Sequence, residues 1–75
     1  MSWKSLTLES GAKLFKSHNF TYMKGGATYA LEVDEFADGS FSGHGEHSTD
    51  KSNLVQSVSG NSIDECLKNL IDNIG

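Results

Sequence analysis

The chain has 75 residues, one cysteine and no proline, which bounds it to one small domain of modest core and excludes an internal disulfide. Its basic residues are six lysines with no arginine, against ten acidic residues, for a net charge of −4. Arginine is the side chain best suited to bidentate phosphate contact, so this composition argues against nucleic acid as a partner.

The amino-terminal residues Met1, Ser2, Trp3 and Lys4 carry no apolar core of signal-peptide length, and no apolar run approaches the roughly 20 residues of a membrane span. With a lone cysteine, the expectation is a cytoplasmic protein. Residues 2–9 alternate loosely and read as a short strand with Leu6 and Leu8 inward. Glu9, Ser10 and Gly11 read as a turn. Residues 12–18 fit one helical turn or a second short strand equally well. Residues 20–23 are strand-like in composition, and Lys24-Gly25-Gly26 is a turn signal between antiparallel strands.

From Ala27 the alternation sharpens. Tyr29, Leu31 and Val33 face one way, and Ala30, Glu32 and Asp34 the other, which predicts a strand with one wet face. Asp38-Gly39 signals a turn into a strand from Phe41 to His47. A two-residue turn there would set Phe36, on the polar side, opposite Phe41. The expectation is therefore a bulge before Phe36, or a longer loop that lets Val33 face Phe41. Residues 48–53 are a polar loop. A further strand follows, with Leu54, Gln56 and Val58 alternating against Val55 and Ser57.

The sharpest element is the final one, residues 62–75. Ser62 is an N-cap, and Glu65 three positions on completes a capping box. Asp64 and Glu65 suit the positive end of the helix dipole. Ile63, Leu67, Leu70, Ile71 and Ile74 form one apolar stripe, whose burial contributes on the order of 7–15 kcal/mol before conformational entropy is subtracted. The stripe requires a sheet to cover, with Leu31, Val33 and Leu54 as its floor. The fold class is thus α+β, an antiparallel sheet of three to four strands packed against a C-terminal helix (a β-β-β-α core), in a single domain spanning 1–75.

Candidate chemistry is sparse. His44 and Glu46 share a strand face and are the candidate metal ligands. His47 points to the opposite face, and His18 joins them only if the fold brings it there. A structural zinc site wants four ligands, so an exposed, glycine-rich strand is the stronger reading. Cys66 sits near a helix N-terminus, where a thiol can become reactive; a small buried hydrophobe is the stronger reading. The acidic set Glu32, Asp34, Glu35 and Asp38 lacks calcium-loop spacing. Ser57, Ser59 and Ser62 lack the spacing of a nucleophile elbow. No catalytic residue and no cofactor is assigned. Trp3, Phe15, Phe20 and Tyr22 make the first third aromatic-rich. They are either core or an apolar patch covered by a partner, with Trp3, Phe20 and Tyr22 as the candidate partner-binding residues.

Residues 29–74 resemble the small N-terminal domain of HicB-type antitoxins. The matching pieces are residues 29–33, the turn Asp38-Gly39-Ser40 into Phe41, the stretch 58–62, and Asp64, Glu65, Cys66 and Leu67. The resemblance implies a three-stranded antiparallel sheet under a helix. Together these readings lead to a non-enzymatic interaction module acting through protein–protein contacts, antitoxin-like, with a homodimer among its possible assemblies. The alternative is a small metal- or ligand-binding protein using His44 and Glu46.

Overall fold

The computed structural model describes residues 2–50 and 52–74. Four strands, β1 (Phe15–Lys24), β2 (Ala27–Phe36), β3 (Phe41–His47) and β4 (Leu54–Gly60), lead into one helix, α1 (Ile63–Ile74). The strands form an antiparallel meander in the order β1-β2-β3-β4. The helix packs on β4, β3 and β2, and β1 lies beyond its main contacts. This is the expected α+β arrangement, with the fourth strand supplied by the segment 15–24.

Turn chemistry sets the register of both long hairpins. Gly25 and Gly26 have φ of 55° and 83°, the two left-handed positions of a tight hairpin turn, so Lys24 pairs directly with Ala27. The second hairpin is wider. Phe36 N–H donates to Ser40 O at 2.9 Å, Gly39 N–H donates to Phe36 O at 3.0 Å, and Gly39 carries a φ of 91°. The loop is therefore longer than two residues, and β2 needs no bulge. Val33 is paired with Gly43 rather than Phe41, whose partner is Glu35. Phe36 stays on the face that its parity dictates and packs on Phe15, ring centroids 5.2 Å apart.

The core lies between the sheet and α1. Tyr29, Leu31, Val33, Cys66 and Leu70 are its buried members, with Val55, Val58, Leu67, Ile71 and Ile74 packed around them. The helix starts as expected, with Glu65 N–H donating to Ser62 Oγ at 3.1 Å. Beneath it, β3 is glycine for a steric reason. A Cβ on Gly43 would stand 2.8 Å from Val58 Cγ2 and 3.0 Å from Leu70 Cδ1, and one on Gly45 2.9 Å from Leu31 Cδ2. The absent side chains let the neighbouring aliphatic groups close over the strand.

Two expectations are overturned. Residues 2–9 form no strand. Ser2 caps a 3-10 turn at Trp3–Ser5 by accepting from Lys4 N–H at 3.2 Å, and Leu6 and Leu8 are exposed rather than inward. A local side-chain hydrogen bond displaces the extended backbone, because no strand lies alongside to pair with it. Leu54 is also not part of the helix floor; it is 86% exposed. Gly43 pairs with Val58 but Gly45 with Val55, so β4 carries one extra residue around Gln56 and Ser57. That bulge reverses the parity of the strand's first half and turns Val55 inward in place of Leu54.

Leu70→Ala is expected to cost about 2–5 kcal/mol, and Gly43→Ala about 1–3 kcal/mol by overpacking. Leu54→Ala should change stability by less than about 0.5 kcal/mol. Chemical-denaturation midpoints at unchanged slope read all three.

Candidate functional site

Because β2 carries no bulge, its residues alternate strictly. Ala30, Glu32 and Asp34 line the sheet face away from α1. The register sets Glu32 opposite His44, Asp34 opposite Ser42, and Ala30 opposite Glu46. Asp34 is the buried charged residue of this face. Ser17 Oγ–H donates to its Oδ1 at 3.0 Å, and His44 Nε2 lies 3.4 Å from its Oδ2. The other ring nitrogen of His44, Nδ1, is 3.3 Å from Ser57 Oγ on the neighbouring strand. A hollow of about 340 Å³ adjoins this line, walled by Asn19, Glu32, His44 and Glu46 among others.

The structure thus brings His44 and Glu46 to one hollow, as the strand parity predicts, and adds Asn19 and Glu32 to its wall, while Asp34 and Ser57 touch His44 from beside it. It does not bring His18 there. His18 is on the opposite face, its Nε2 3.0 Å from Glu35 Oε1. His47 is on that opposite face too, with its ring edge-on to Tyr29 at 5.0 Å. Cys66 is fully buried beside Gly60, and burial, then the neighbouring Glu65 charge, push its thiol up from 9.0. That environment makes it a packing residue, not a nucleophile.

The succession Ser57, His44, Asp34 has the residue types of a hydrolytic triad, but its setting opposes that chemistry. His44 is half exposed, so water competes for both ring nitrogens. Glu32 and Glu46 put negative charge on the walls where a developing oxyanion needs hydrogen-bond donors. No group of three or more histidine, cysteine or carboxylate side chains among the described residues is arranged to hold a metal ion. What this face can do is bind neutral or basic polar groups through surface hydrogen bonds.

A second cluster fastens the amino-terminal segment to the sheet. Lys4 Nζ pairs with Glu35 Oε2 and sits 5.9 Å from the Trp3 ring centroid and 6.0 Å from that of Phe41. Trp3 is half-buried beside this contact. Phe20 and Tyr22 stand on the α1 side of β1; Tyr22 is half-buried and packs against the core beside Tyr29, whereas Phe20 is 37% exposed. Met23, on the other face of the same strand, is 74% exposed.

The backbone of β1 offers a further surface. Ser48 N–H donates to Thr28 O, and Phe36 N–H to Ser40 O, each at 2.9 Å. The even-numbered residues of β2 therefore turn their peptide groups toward β3, and Tyr29, Leu31, Val33 and Glu35 turn theirs toward β1. Their partners Tyr22, Phe20, His18 and Lys16 answer them. By the alternation of an antiparallel ladder, the peptide groups of Phe15, Ser17, Asn19, Thr21 and Met23 point outward, away from the sheet. Sequence reading marked Phe20 and Tyr22 but missed this row, since nothing in one strand's composition tells which edge it occupies.

Comparison with family models, with curated proteins and with solved structures finds no match to this chain.

The two carboxylates at the ends of these clusters give opposite pH behaviour. Hydrogen bonds from Lys4 first and His18 second hold the Glu35 carboxyl below 4.5, so its contribution is present above the unfolded value and lost as pH falls through the folded one. The hydrogen bond to Asp34 first, then burial and the Asp34 charge, hold the Glu32 carboxyl above 4.5. Its contribution is present in acid and lost as pH rises through the folded value. Glu32→Gln should therefore raise the thermal midpoint near neutrality and leave it unchanged in strong acid. Glu35→Gln should lower the midpoint near neutrality and also leave it unchanged in strong acid. Added Zn²⁺ should shift neither the midpoint nor the His44 ring resonances.

Proposed function

We propose that this chain is a non-enzymatic interaction module that binds protein by offering β1 as an edge strand. The observation that carries the reading is the outward row of peptide groups from Phe15 to Met23, flanked by the exposed side chains of Phe20 and Met23. An unpaired strand edge is a template for another extended segment. Main-chain hydrogen bonds supply the attachment, and alternate side chains supply the selectivity.

An antitoxin-like role, in which a partner protein is held by this small α+β unit, is the specific form of the reading that the HicB resemblance of residues 29–74 suggests. The helix contributes indirectly by holding β2, β3 and β4 rigid. The exposed polar face around His44 and Glu46 then serves as a solvated surface beside the docking edge. No helix among the described residues is long and apolar enough to cross a membrane.

A photo-crosslinking residue at Thr21, in the cells that make the protein, is expected to trap a protein partner. The same group at Lys68, on the outer surface of α1, should not. No product from Thr21, or equal products from both positions, overturns the reading.

A further inference from the structure

We infer that the occupant of the β1 edge is β1 of a second copy of this chain, giving a continuous eight-stranded antiparallel sheet across a two-fold axis. The inference rests on the edge-strand reading above and commits it to one partner.

The two edges of the sheet differ in kind. β4 is short and broken by the bulge at Gln56 and Ser57, the device by which an edge is kept from pairing. β1 runs ten residues with an uninterrupted register against β2. It contains no proline, and its central residues 17–23 carry no lysine or carboxylate. Its lysines, Lys16 and Lys24, stand at its ends.

The whole chain is also open in shape. Its radius of gyration is 14.1 Å, against about 11 Å for a compact domain of this length. Part of the exposed apolar surface lies along β1, at Phe15, Phe20 and Met23, and the rest at Leu6, Leu8, Leu14 and Leu54. A core this small gains stability from a second subunit.

The strand is complementary to itself. Across a two-fold axis perpendicular to the sheet, each outward N–H meets an outward C=O of the other copy, and both helices lie on the same side. Residues of equal parity must then pair. A register centred on Phe20 sets Lys16 opposite Lys24, which like-charge repulsion disfavours. A register centred on Asn19 avoids this. It pairs Ser17 with Thr21 and Lys16 with Tyr22, and joins two exposed apolar groups of the opposite face, Phe15 and Met23. On the helix side it sets the two Phe20 rings diagonally across the axis, each opposite His18, and closes the shelf that α1 leaves open.

The test is the mass in solution together with residue-resolved amide exchange of the intact chain. Sedimentation should give twice the chain mass of 8.1 kDa. The amides of Ser17, Asn19, Thr21 and Met23 should exchange at least about tenfold more slowly than a free strand edge allows. Isotope-filtered contacts should link Met23 methyl protons of one copy to the Phe15 ring of the other. Thr21→Pro removes an outward N–H and no bond within the chain, so it should yield a monomer with its helix signal intact. A single-chain mass at every concentration overturns the inference, as does a dimer in which those four amides exchange freely. A monomer whose Thr21 crosslink contains a different protein removes the second copy but leaves the edge-strand reading in place. Absence of any Thr21 crosslink removes that reading itself.

Discussion

The fit of Leu70 against Gly43 and Val58 is the contact on which the rest of the molecule depends. The helix can approach β3 because two glycines remove the Cβ atoms that Leu70, Val58 and Leu31 would otherwise meet. That approach buries Cys66 and Leu70 completely and completes the cover over Val33. It also fixes where the helix lies. Seated over β3 and β4, α1 cannot reach β1 as well, since a helix of ordinary diameter spans about two strand spacings. The exposed shelf at Phe20 is thus the other side of the same packing choice.

Much of this was readable in the residues. The capping residues and stripe of α1 and the alternation of Tyr29, Leu31 and Val33 carried the fold class, because each is a local pattern with a single period. The opposite directions of His44 and His47 followed from strand geometry alone. What escaped were features decided by one extra residue. The bulge in β4 exchanged Val55 for Leu54, and no signal in that stretch marks where the insertion falls. The loop at Asp38-Gly39 was legible as a turn, but its length was settled only by the hydrogen bonds at Phe36. That length is what places Glu32 opposite His44.

The amino-terminal residues show a different failure. Their alternation is real, yet a strand needs a partner, and β1 lies outermost without them. Ser2 and Lys4 instead make a local turn, and Lys4 finds Glu35. The identity of an edge strand is a property of topology, so neither the outward peptide row of β1 nor the hollow beside His44 was available from spacing. Both emerge once the meander order is known.

The order of elements along the chain also bears on how the protein is made. Each strand pairs with the one synthesised just before it, so the sheet can assemble progressively, with short loops to close at every step. Its cover comes last. At elongation rates of about 5–20 residues per second, the lipophilic floor formed by Tyr29, Leu31 and Val33 waits roughly 2–8 seconds for α1 to be completed. During that interval the nascent polypeptide is at its stickiest, and any chaperone that attends it would find its target on the side that the finished molecule conceals.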